Sequence, residues 1–155
     1  MTYRIEGLAP ARFQNLFGVA DAELAKHHVV RVTADSKPGF PCRITLEDAE
    51  PGETLLLLNH VSNDASNPYR SSHAIFVREK AKAAARYDGA VPPSFDGRAL
   101  GLRGFDSEGM LVGASLAMPG EADDAIRALF EQPQIATIHA HNAARGCFVA
   151  RIERL

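Results

Sequence analysis

I-A-T-I-H-A-H-N-A-A-R-G-C-F-V-A-R-I-E-R, from Ile135 to Arg154, contains two runs of period-two alternation around Asn142-Ala143-Ala144-Arg145-Gly146. This is the pattern of a β-hairpin, with Gly146 supplying the positive φ that a tight turn demands. If His141 pairs with Cys147, the successive partners are His139 with Val149, Thr137 with Arg151 and Ile135 with Glu153. The opposite face then holds Ala136, Ile138, Ala140, Phe148, Ala150 and Ile152, all apolar. A slip of one residue would mix polar and apolar groups on both faces, so this is the register expected. It sets His139, His141, Cys147 and Arg151 side by side. A hairpin with one apolar face requires a layer to cover it, and the α+β class supplies one. The expectation is a single globular domain over 1–155. Its mainly antiparallel sheet of about six to eight strands would be built from hairpins, with a few short helices packed on one face.

Working outward, Glu121 to Gln132 has an acidic first turn and an apolar stripe of Ala122, Ala125, Ile126, Leu129 and Phe130, so it reads as the helix that covers the sheet. Arg98 to Phe105 and Met110 to Leu116 alternate around Asp106-Ser107-Glu108-Gly109 as a second hairpin. Thr54 to Val61 carries four consecutive leucines and reads as a central strand buried on both faces, with His60 at its exit. Short strands are expected at Tyr3 to Ile5, Val29 to Ala34 and Ala74 to Arg78, and a further alternation at Arg43 to Glu47. Short helices are expected over Ala11 to Phe17, Asp21 to Lys26 and the K-A-K-A-A-A-R run ending at Arg86. Ser62 to Ser72 reads as the longest loop.

A chain of 155 residues with 46% hydrophobic content is long enough to bury a core without staples. Its formal net charge of -2 provides no basic field for phosphate backbones, so nucleic acid is not the expected partner. No apolar run approaches the roughly 20 residues of a membrane helix, and a cytoplasmic location is expected. Two cysteines, Cys42 and Cys147, make no disulfide framework and are expected to be thiols.

The motifs P-G-F-P-C-R, D-A-E-P-G-E-T-L-L-L-L-N, P-Y-R followed by I-F-V-R-E, and H-N-A-A-R-G-C-F-V-A-R-I-E-R occur in that order between Pro38 and Arg154. Together they resemble a bacterial family catalogued as domain of unknown function 1203. The resemblance implies a single-domain bacterial protein and brings no activity, substrate or catalytic residue with it.

Three functional classes are then open. A binding module would hold a small anionic metabolite in a cleft lined by Arg43, Tyr69, Arg70, Asn142 and Arg78, with Cys42 in the stiff loop beside Arg43. A metal-dependent enzyme would use His139, His141 and Cys147 as ligands, with zinc or iron as the cofactor and His60 or His73 as a fourth donor. A thiol enzyme or redox protein would use Cys147 as nucleophile and His139 or His141 as its base. The binding module is the preferred reading. Oligomeric state leaves no trace in the sequence.

Overall fold

The computed structural model describes residues 1–155 and contains two antiparallel sheets. Strands β1 (Tyr3–Glu6), β5 (Arg86–Asp88), β6 (Leu100–Phe105), β7 (Leu111–Ala117), β8 (Thr137–Asn142) and β9 (Phe148–Arg154) form the larger, in the order β5-β1-β9-β8-β6-β7. Strands β2 (Val30–Thr33), β3 (Thr54–Asn63) and β4 (Ser71–Arg78) form the smaller, with leucine-rich β3 at its centre. Helix α1 spans Asp21–Ala25 and α2 spans Ala122–Phe130. The fold is α+β and mainly sheet, as expected, but the strands divide between two sheets.

The rows of residues across the large sheet show what each face does. Ile5, Ile152, Ile138, Gly104 and Gly113 lie side by side across five strands. On this face Ile126, Leu129 and Phe130 of α2 close the main core together with Leu102, Ala140 and Ala150. Gly104 and Gly113 are needed here: a Cβ on either would come within 2.5 or 3.0 Å of Ile135 Cδ1, which lies over both. The next row, Glu6, Arg151, His139, Arg103 and Ala114, takes the opposite face by the period of two. That face looks away from α2 and toward the small sheet.

In the small sheet Leu56 pairs with Val77, Leu58 with Ile75 and His60 with His73. These leucines, Ile75 and Val77 pack with Phe13, Leu24 and Cys42 into a second core. The two sheets are fastened by the loop before β3. Its Cys42 bridges to Phe76 on the edge of β4, the Arg43 carbonyl accepts from the Leu8 N–H at 2.8 Å, and Arg43 Nε donates to the Phe148 carbonyl at 2.8 Å. Arg43 is thus a buckle between the sheets.

Several local expectations are corrected. Ile44 and Leu46 are buried, but in a turn: the Leu46 N–H donates to the Cys42 carbonyl and Leu46 has φ 53°, so Arg43 to Glu47 is not a strand. The run ending at Arg86 is not a helix. Ala85 donates its N–H to Ile44 and accepts from Gly7, and Arg86–Asp88 pairs with β1, so tertiary partners override an alanine-rich propensity. Only a 3-10 turn, Pro10–Arg12, forms where a helix to Phe17 was expected. Strands β3 and β4 continue to Asn63 and from Ser71, shortening the intervening loop.

The terminal hairpin forms, in a different register. Thr137 faces Glu153, His139 faces Arg151 and Ala140 faces Ala150; then a bulge lets His141 face Phe148. Val149 is the extra residue and enters the α2 core, while Phe148 turns to the histidine face. A bulge lets two consecutive large apolar residues both be buried, on opposite sides of one strand. Uninterrupted alternation would have exchanged their faces, turning Phe148 toward α2 and Val149 toward the histidines.

Candidate functional site

Four of the six histidines, His60, His73, His139 and His141, meet between the sheets around Phe148. The ring centroid of Phe148 lies 5.6 Å from that of His60, 5.5 Å from His139 and 5.9 Å from His141, and His73 meets His141 at 4.9 Å. Burial disfavours the charged imidazolium. It is the main cause that brings His139 down to about 3 and His60 and His141 to about 4, and it lowers His73 as well. All four rings are therefore neutral at pH 7.

Their tautomers follow from their partners. His141 Nδ1 lies 2.9 Å from the Gly146 carbonyl, which can only accept, so its proton is on Nδ1. His139 Nδ1 is buried without a partner. An orphaned N–H is the rarer and costlier outcome, so His139 carries its proton on Nε2.

His60, His139 and Phe148 contribute to the wall of a cleft of about 480 Å³. Leu8 and Arg12 close one side, and the β3–β4 loop and β6–β7 turn close the other through Asp64 and Asp106. Beyond the imidazoles' effect on one another, the charges that bear most strongly on the four rings are guanidinium: Arg12 and Arg43 on His60, Arg151 and Arg103 on His139, Arg103 and Arg43 on His141, Arg103 on His73. No carboxylate is among them. Three acids stand at the rim: Asp64 pairs with Arg70, Asp106 accepts the N–H groups of Glu108 and Met110 at 2.9 and 3.0 Å, and the Glu108 carboxylate makes no ion pair. The cleft is thus polarised, with guanidinium groups at its imidazole end and the carboxylates of Asp64, Asp106 and Glu108 at its rim.

The residues singled out from sequence are dispersed. Arg43 is buried on the carbonyls of Phe148 and Pro41, and burial draws its guanidinium down to about 10. Arg78 grips Glu53 through two hydrogen bonds of 2.8 Å and fixes the loop over Cys42. Cys42 is itself buried, its Sγ accepting N–H groups from Ile44, Thr45 and Arg78 at 3.3, 3.5 and 3.3 Å. Asn142 shapes the hairpin turn by accepting the Ala144 N–H. Tyr69 and Arg70 line a separate hollow of about 260 Å³ with Arg103. These six do not share a cleft.

His139 and His141 stay together, 6.4 Å apart between ring centroids. Cys147, half-buried in the turn, is no longer their cross-strand neighbour once the register moves. No three His, Cys, Asp or Glu side chains are placed to hold a metal ion, so the donors do not fit zinc or iron. Sequence reasoning left out Arg12, Phe105 and Phe148 as cleft residues. Arg151 had a signal, its parity with His139.

A family model described as "Protein of unknown function (DUF1203)" matches residues 39–154. No curated protein and no solved structure matches the chain. No helix is long and apolar enough to cross a membrane.

Proposed function

We propose that this chain, which belongs to the DUF1203 family of proteins of unknown function, binds a small anionic molecule in the cleft between its two sheets. The observation that carries this reading is the composition of the interior. Neutral imidazoles from both sheets meet there under the influence of guanidinium groups, while the carboxylates of Asp64, Asp106 and Glu108 stand at the rim. Arg12 forms no ion pair within the chain and stands close enough to His60 to lower its proton affinity. Arg151 adjoins His139 as its cross-strand partner and gives its Nε to Glu153 at 2.7 Å, a bond between half-exposed side chains that an incoming anion would compete with. An anion between Arg12 and Arg151 would be attracted by both guanidinium groups and accept from the Nε2–H of His139. A volume of about 480 Å³ suits a small metabolite.

Binding fits better than catalysis. Imidazoles held near 3 and 4 are weak bases far below neutral pH, where general base catalysis needs a group that exchanges protons. They serve instead as uncharged hydrogen-bonding walls.

Calorimetric titration with acetate, succinate and inorganic phosphate tests the reading. At least one should bind, and Arg12→Gln together with Arg151→Gln should weaken it roughly tenfold or more, the scale of one lost charge-assisted contact. Equal binding by wild type and double variant would sink the proposal.

A further inference from the structure

The anion-binding reading leaves the rest of the ligand open, and the walls of the cleft bear on it. Phe105, His139, Phe148, His60 and Phe13 form an unbroken series of rings, with successive centroid separations of 4.8, 5.5, 5.6 and 6.4 Å. All but Phe13 line the cleft itself. The series joins the sheets, since Phe105, His139 and Phe148 belong to the large one and His60 to the small one. Adjacent rings are inclined by 46° to 80°. Such tilted arrangements place the positive edge of one ring against the electron-rich face of the next. A neutral histidine takes part in this packing without the desolvation cost of a charged one.

Polar and aromatic features are also segregated. Arg12 and Arg151, with Leu8, line both this cleft and an adjoining groove of about 290 Å³ that also holds Glu6 and Glu153, so both guanidinium groups stand on the boundary between the two hollows, Arg12 without an ion pair and Arg151 bonded to Glu153 on the groove side. The rings lie on the cleft side of it. A ligand satisfying both features carries its charge at one end and a flat, polarisable body at the other.

Resting on the anion-binding reading, we propose that the ligand is an aromatic carboxylic acid, its carboxylate held between Arg12 and Arg151 and its ring packed against Phe105, Phe148 and the imidazoles of His60 and His139. The size of the cleft admits one or two fused rings. Packing against an aromatic wall distinguishes a flat ring from a puckered one of similar size, because only the flat ring offers offset or edge-to-face contacts.

The test compares benzoate with cyclohexanecarboxylate, which matches it in charge and carbon count, and adds 2-naphthoate and inorganic phosphate, all by calorimetric titration of the full chain. The expected result is benzoate binding at least tenfold more tightly than cyclohexanecarboxylate, with 2-naphthoate tighter still. Phe148→Leu should reduce the benzoate preference to less than threefold while leaving cyclohexanecarboxylate affinity within twofold. Phe105→Leu provides the same comparison if circular dichroism shows Phe148→Leu to be unfolded. Equal affinity for the two ring acids, lost in Arg12→Gln, would overturn the aromatic assignment and leave anion binding standing. Binding of benzoate that survives both Arg12→Gln and Arg151→Gln, or no binding of any of the four probes, would overturn the two together.

Discussion

Lowering the pH from 7 to 5 is expected to remove on the order of 3–6 kcal/mol of folding stability, through the imidazoles between the sheets. In the unfolded chain a histidine takes its proton near pH 6.5. In the folded chain His60 and His141 wait until about 4 and His139 until about 3. Between those limits the unfolded state binds more protons, so stability is full above 6.5 and falls as the pH drops toward 4. Each of the three rings contributes about 1–2 kcal/mol of the loss by pH 5. Carboxylates held low by arginines, such as Glu53 beside Arg78 and Asp48 beside Arg98, add their own loss only in the more acidic range. Urea unfolding at pH 7, 6 and 5 therefore isolates the histidines. His139→Phe should flatten the profile by about one ring's share; a stability constant from pH 7 to 5 would mean that the rings are hydrated and the sheets are not packed as described.

Gly7→Ala should destabilise the fold by about 3 kcal/mol or more, at or above the upper end of what overpacking costs. Gly7 follows β1 at the crossing with the Arg43 loop, and its N–H donates to the Ala85 carbonyl at 2.8 Å. A Cβ there would sit 2.0 Å from the Ile44 carbonyl oxygen, 2.8 Å from its carbon and 3.2 Å from the Arg43 oxygen. None of these atoms is the end of a flexible side chain. Relief requires moving the loop that buckles the two sheets and, with it, Leu8 on the cleft wall. The midpoint of urea unfolding reads the cost directly. A loss below about 1 kcal/mol would show that the loop yields freely, against the buckle assigned to Arg43.

Strong, local patterns were legible before any coordinates. The stripe of α2, the alternation of the β6–β7 hairpin and the leucine run of β3 each express a period long enough to be read even though the register shifts near Phe105 and past Val61. The terminal hairpin was legible as a hairpin, yet its register turned on a single bulged residue, Val149. Alternation alone carries no mark of a bulge, because its benefit comes from two cores that exist only after folding. The candidate site suffered most from this. His139 and His141 kept their shared face, but Phe148 replaced Cys147 beside them, and the metal and thiol arrangements lost their sulfur. His60 and Arg12 reach the same cleft from the small sheet and from the segment before it, separated by dozens of residues from β8. No local spacing announces such a meeting. Arginines offered by sequence as ligand contacts, Arg43 and Arg78, instead hold backbone carbonyls and a glutamate inside the protein.

The measurement closest to the central claim is a carbon–proton correlation spectrum of the six imidazole Cε1–H groups, recorded at pH 7 with increasing benzoate. His27 and His28, at the end of α1, lie outside the cleft and serve as internal controls. The account predicts saturable shifts of the His60 and His139 signals with one common dissociation constant, and stationary His27 and His28. Stationary His60 and His139 signals, or shifts confined to His27 and His28, with benzoate and again with inorganic phosphate, would contradict an anion site between the sheets.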